Sequence, residues 1–143
     1  MQMKIKTPHI TVRKQKSHRY TIRFFTVLFA LFPLIIFLGS QQALLAAVGG
    51  LPFLLFLPVT AYYETWQLRL TQNTIERSLF GKTKSYSYPQ LQQAVKRYAT
   101  SKSALVISMK FQNGTTWQFR MDDENGKTAE KQLLTHCSIL TLP

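Results

Sequence analysis

Two patterns of hydrophobic and polar positions divide this chain. Forty consecutive residues, from Phe24 to Tyr63, carry no charge; beyond them, apolar residues recur in short alternating runs. At about 1.5 Å of rise per residue, forty helical residues would reach about 60 Å, twice the roughly 30 Å of a bilayer core. The run must therefore fold back on itself. Gly39-Ser40-Gln41-Gln42 supplies the break. That leaves a first span at 24–38, lengthened by Thr21 and Ile22 with Arg23 snorkelling to the headgroups, and a second at 43–61. Pro33, Pro52 and Pro58 are compatible with spanning helices, where neighbours take up freed carbonyls. Gly49 and Gly50 offer small surfaces for close helix approach. A cleaved signal peptide is the competing reading, but its weak site, Ala46-Ala47-Val48, lies inside a continuing apolar run.

After the uncharged run the period is two. Trp66, Leu68 and Leu70 share one face of a strand at 64–71, with Gln67, Arg69 and Thr71 on the other. Gln72-Asn73 turns the chain into a strand at 74–80, and Gly81-Lys82 into one at 83–88. Pro89 stops that strand and opens a helical turn through Gln93. A weaker strand at 94–100 ends in the polar turn Ser101-Lys102-Ser103. Leu105, Ile107, Met109 and Phe111 alternate with Val106, Ser108, Lys110 and Gln112. Trp117, Phe119 and Met121 alternate likewise, and Asn113-Gly114 joins the two runs as a hairpin, since both residues accept positive φ. The period then becomes helical at Ala129, Leu133, Cys137 and Leu140, widened by Leu134 and Ile139. Asp122, Asp123 and Glu124 precede this stretch, where a helix dipole favours negative charge. The expected fold class is α+β: a transmembrane helical hairpin, then a small curved antiparallel sheet or barrel of about six strands capped by a C-terminal helix. The expected organisation is a basic arm at 1–23, the hairpin at 24–61 and a cytoplasmic domain at 62–143.

Charge sets the expected orientation. Lys4, Lys6, Arg13, Lys14, Lys16, Arg19 and Arg23 precede the first span with no acidic residue among them; the loop between spans is uncharged; eleven Lys/Arg and six Asp/Glu follow. The positive-inside rule puts both termini in the cytoplasm of a multi-pass inner-membrane protein, with Tyr62, Tyr63 and Trp66 as the aromatic belt at the membrane interface. The lone cysteine, Cys137, fits a reducing compartment.

The segments Trp66-Gln67-Leu68-Arg69-Leu70-Thr71-Gln72-Asn73-Thr74-Ile75 and Leu79-Phe80-Gly81-Lys82, with the order of elements over 24–140, resemble bacterial pleckstrin-homology-like (PH-like) domains, many of which follow a two-helix membrane hairpin. The resemblance implies a PH-like barrel serving one of several binding roles. It does not carry inositide specificity. PH domains that bind phosphoinositides use a basic cluster around the loop between their first two strands, and here that loop is Gln72-Asn73, flanked by Arg69 and Arg77.

Enzyme chemistry finds no motif: G-x-S-x-G, a phosphate loop and H-E-x-x-H are absent, and no cofactor or metal is expected. His136 and Cys137 are adjacent and so point about 100° apart on a helix, with Cys137 expected buried and His136 at the rim. Asp122-Asp123-Glu124-Asn125-Gly126 faintly resembles a calcium loop, but Leu133 sits where an EF-hand places its bidentate Glu. The net charge of +12 is explained by topology and anionic headgroups rather than by nucleic acid. Arg13, Lys14, Lys16, Arg19 and Arg23 are the candidate contacts to anionic phospholipid; setting orientation alone is the competing role. Two function classes follow. One is a membrane-anchored interaction module binding a protein or peptide at the inner membrane surface, such as an accessory subunit or an immunity protein. The other is a sensor or organiser of anionic lipid.

Overall fold

The computed structural model describes residues 9–40, 43–99 and 104–142. Lys4, Lys6, the break at 41–42 and the polar turn at 101–103 lie outside the described residues. In chain order the elements are β1 (Ile10–Arg13), α1 (Lys16–Ser40), α2 (Ala43–Thr65), β2 (Gln67–Leu70), β3 (Thr74–Leu79), β4 (Lys82–Ser87), a 3-10 turn (Tyr88–Gln90), β5 (Leu91–Tyr98), β6 (Leu105–Phe111), β7 (Thr116–Arg120), α3 (Gly126–Leu134) and β8 (Ile139–Thr141). They form two compact units, one from residues 14–65 and one from residues 1–13 with 66–143.

The first unit is the helical hairpin. Both helices are long and apolar enough to cross a membrane, and no residue of either apolar window is buried within the protein. Helix α1 is longer than the apolar run alone suggests. It begins at Lys16 and has 25 residues, about 37 Å. The antiparallel register is fixed by side chains. The Thr26 and Thr60 hydroxyls lie 2.6 Å apart, so that one donates to the other, whose own proton goes to the carbonyl four residues back, on Ile22 or Phe56. The Phe29 and Phe56 rings lie 4.9 Å apart. A Cβ added at Gly49 would come within 2.9 Å of Ile36 Cδ1, so close approach there depends on glycine.

The second unit holds two separate four-stranded sheets, ordered β1-β2-β3-β4 and β7-β6-β5-β8. The expected curved sheet or barrel of about six strands is instead two unclosed four-stranded sheets around one core, within the expected α+β class. Leu68, Leu70, Ile75 and Val12 from the first sheet are fully buried, as are Ile107, Met109, Phe111 and Phe119 from the second and Leu133 from α3. The Tyr86 ring stacks on Phe111 at 4.5 Å and meets Trp117 at 4.9 Å, joining β4 to β6 and β7. The Asn113-Gly114 hairpin is present, with Gly114 at φ 80°.

Several boundaries move. Helix α2 continues to Thr65, so the strand expected from Glu64 begins only at Gln67. The turn opened by Pro89 ends at Gln90, held by Ser87 N–H donating to Gln90 Oε1 at 2.9 Å, and β5 occupies 91–98. The C-terminal helix stops at Leu134, where the Thr135 N–H bonds the Gln132 carbonyl. Cys137, Ile139 and Leu140 leave it, because residues 139–141 satisfy the exposed edge of β5 as a parallel strand. The largest addition is β1. It pairs antiparallel with β2, Ile10 opposite Leu70 and Arg13 opposite Gln67. Its outer edge exchanges backbone bonds with Glu124 (2.9 and 3.3 Å), and Asn125 Nδ2 donates to the Thr11 carbonyl at 2.8 Å. The helical hairpin is thus inserted between two adjacent strands of one sheet.

Candidate functional site

The five basic residues proposed from sequence are distributed over β1, the link after it and α1. Arg13 is an exposed residue ending β1, Lys14 is half-buried between β1 and α1, and Lys16 opens α1. Arg19 and Arg23 lie on α1 beside an acid absent from the sequence argument. Glu64 accepts from Arg23 Nε at 2.6 Å and Nη2 at 2.5 Å, and from Arg19 Nη2 at 3.2 Å. The antiparallel hairpin brings residue 64 opposite 19–23, so one carboxylate offsets part of the arm's charge. The Thr26–Thr60 register was the missing signal. Of the belt residues, Tyr62 and Tyr63 end α2 with rings 5.6 Å apart in an edge-to-face pair. Trp66 is only 4% exposed, in the core of the second unit.

The most site-like feature of the second unit was not anticipated. Gln72, Asn73, Ser87, Tyr88, Pro89 and His136 line an open cavity of about 580 Å³, within the range of small-ligand and peptide pockets. Local chemistry builds it. Thr71 Oγ1 receives the Thr74 N–H at 2.9 Å and closes the β2–β3 turn. Tyr88 Oη donates to the Thr71 carbonyl at 2.9 Å, fixing the aromatic wall. His136 stacks on the Tyr88 ring at 3.8 Å and 13°. Burial raises the Tyr88 hydroxyl's pKa, keeping it a neutral donor. Burial likewise raises the neighbouring Cys137 thiol, which disfavours the reactive thiolate. His136 is exposed and Cys137 half-buried, Sγ donating to the Leu133 carbonyl at 3.4 Å.

Strand register places this cavity in the sheet. Ile10, Leu70 and Ile75 are successive partners at the cavity end; Arg13, Gln67 and Ser78 are partners at the other. Ile75 and Ser78 are about 10 Å apart along β3, and the whole strand spans about 17 Å. The chain departs toward α1 and returns from α2 at the Arg13–Gln67 end.

The acidic run before α3 is structural. Asp123 is buried and accepts the Arg120 N–H at 3.0 Å, while Asp122 pairs bidentately with Arg120 at 2.9 Å. Among the described residues no three His, Cys, Asp or Glu side chains gather to hold a metal ion. The chain matches no protein-family model, and no curated protein matches it.

Proposed function

We propose that this chain is a two-span protein of the cytoplasmic membrane, with both termini in the cytoplasm. Its PH-like, two-sheet domain acts there as an interaction module for a protein or peptide partner. The observation that carries the reading is the insertion of the hairpin between β1 and β2. Both strands belong to one sheet, so residues 10–13 and 67–70 must lie on one side of any membrane the hairpin crosses. The charge bias selects the cytoplasmic side. A domain tethered at two adjacent strands meets partners only near that surface, and the Tyr88/His136 cavity opens at the end away from the tether. Its amide, hydroxyl and aromatic groups suit an extended peptide, whose backbone needs both donors and acceptors.

The test is site-specific photocrosslinking of the full chain in its native membrane. A photoreactive residue at Gln72 should give a protein adduct that Tyr88→Ala abolishes, while one at Lys110, exposed on β6, should not. Equal adducts at both positions, or none at Gln72, would overturn the partner assignment. Organisation of anionic lipid is the second reading. It is favoured by the exposed basic residues Arg13 and Lys82 at the tethered end of the first sheet.

A further inference from the structure

The β3–β4 hairpin turns through Phe80 and Gly81, with φ of 50° and 74°. Two successive positive φ values are the mark of a two-residue hairpin turn, for which Asn or Asp followed by Gly is the favoured chemistry. A bulky phenylalanine in this region is an outlier, and Phe80 is also 54% exposed.

The residues beside it are cationic. Arg77 and Lys84 are partners across the ladder, Leu79 and Lys82 are the next pair on the same face, and together with Phe80 they line a cavity of about 250 Å³. The Arg77 guanidinium lies 5.1 Å from the Trp117 ring centroid, which fixes it over the core. Among the described residues no carboxylate pairs with Arg77, Lys82 or Lys84. This contrasts with Lys96, bound to Glu130 at 2.7 Å, and with Arg120, bound to Asp122.

Register gives the cluster its direction. Arg13, Gln67, Ser78 and Thr83 are successive partners across the four strands. The Phe80-Gly81 turn therefore lies at the sheet end from which the chain leaves Arg13 and to which it returns at Gln67. Only two residues separate β1 from α1, and one separates α2 from β2. On the two-span reading, which this inference rests on, that end of the sheet is held within a few residues of the headgroups.

We infer that the β3–β4 hairpin is a membrane-contact element: Arg77, Lys82 and Lys84 bind the phosphate of anionic phospholipid headgroups while Phe80 enters the interfacial layer. Aromatic rings are favoured at that depth. Each lysine–headgroup contact shifts the docked population about fivefold and is screened by salt. Docking the tethered end in this way leaves the Tyr88/His136 cavity facing the cytoplasm. Three cations with one aromatic favour a lipid surface over an acidic peptide, because a peptide offers no depth for an exposed ring at the turn.

The experiment uses the full chain in vesicles of neutral phosphatidylcholine, with or without about one-third phosphatidylglycerol. A fluorophore is placed at residue 80 through Phe80→Cys in a Cys137→Ser background, and a control fluorophore at Asn73. Anionic vesicles should protect the residue-80 probe from aqueous acrylamide and expose it to nitroxide-labelled lipid, leaving the Asn73 probe unchanged. Lys82→Gln/Lys84→Gln should reverse the protection, as should 1 M salt. Both lysines are exposed, so their replacement leaves the buried core residues in place. Free glycerol phosphate in place of anionic lipid should not protect the probe; if it does, the site is an anion pocket and not a membrane contact. Equal acrylamide quenching in both vesicles, or protection that survives the double substitution, would overturn the inference. Resistance of the chain to alkaline carbonate extraction is scored in the same samples. Extraction would remove the two-span reading itself, while resistance with an aqueous probe would remove only the lipid contact.

Discussion

Substitution at Trp117 separates two contributions to the core. The residue is 1% exposed, meets Phe111 edge-to-face at 4.8 Å and Tyr86 at 4.9 Å, and carries Arg77 over its ring. Its indole Nε1 is buried and donates to no acceptor among the described residues. Trp117→Ala removes the whole ring and should cost about 3–5 kcal/mol. The lost cation–π contact adds roughly 1 kcal/mol. A domain of this size holds about 5–10 kcal/mol in total, so the variant should sit near the edge of unfolding. Trp117→Phe is the sharper probe. It loses only part of the ring and no hydrogen bond, and it removes an unpaired buried donor that itself costs about 1–3 kcal/mol. Its net cost should therefore fall below about 2 kcal/mol. Urea unfolding of the full chain in detergent, followed through Trp66 fluorescence, measures both. With a urea slope of about 1 kcal/mol/M, the phenylalanine midpoint should fall by less than about 2 M, while the alanine variant loses most of its transition. An alanine variant that unfolds like the parent would refute the burial of Trp117. A phenylalanine variant as damaged as alanine would refute the unpaired indole.

Other substitutions test other joints. Gly126→Ala should cost about 1–3 kcal/mol, because a Cβ there lies 2.5 Å from the Arg120 carbonyl and 2.8 Å from that of Met121, neither of which can yield; an unchanged urea midpoint would oppose this packing. Within the hairpin, a double-mutant cycle of Thr26→Val and Thr60→Val should give a coupling of about 0.6 kcal/mol in SDS unfolding, and zero coupling would remove the interhelical hydrogen bond. Glu64→Gln removes the carboxylate shared by Arg19 and Arg23, so the hairpin should unfold at lower SDS and regain part of the loss with Arg19→Gln; the same midpoint as the parent would oppose the triad. Burial raises the pKa of Cys137 and of Tyr88, so the folded state disfavours their ionised forms. Stability from these groups is whole below the unfolded values, about 8.5 and 10, and is lost as pH rises through the raised ones. Iodoacetamide should accordingly modify Cys137 more slowly in the folded chain than in urea at pH 8; equal rates would contradict its burial.

How much of this was legible depended on how local each signal was. The Leu105/Ile107/Met109/Phe111 and Trp117/Phe119 faces were readable because partner strands are joined by Asn113-Gly114 and their alternation is clean. The apolar run announced two helices by length alone. Strand β1 was hidden: Ile10-Thr11-Val12-Arg13 is four residues in a basic stretch, with a partner more than fifty residues away across the hairpin. Only Val12 among them is fully buried, which leaves too short a run to show a period. Helix α3 was overextended because Cys137 and Leu140 fall on a helical stripe by spacing, while the edge of β5 offered residues 139–141 a ladder that sequence spacing does not reveal. Of the site residues, the tethered arginines were visible as charges, but their sharing of Glu64 needed the interhelical register. The Tyr88/His136 cavity joins residues 48 positions apart, through a stacking that no local pattern encodes.

In the inserted-hairpin architecture β1 and β2, on either side of the helical hairpin, form one sheet and so share one side of any membrane the hairpin crosses. Thr11 and Arg69 are directly opposed in that sheet. Opposed strand positions have Cβ atoms about 4.5–5.5 Å apart, close enough for a disulfide with slight adjustment. Thr11→Cys/Arg69→Cys, in a Cys137→Ser background and in native membranes, should form an intramolecular disulfide rapidly on mild oxidation. The shifted pair Thr11→Cys/Thr74→Cys should not. Two cysteines at 11 and 69 that each react with maleimide yet never join would contradict the inserted-hairpin architecture and the shared side of the membrane that it requires.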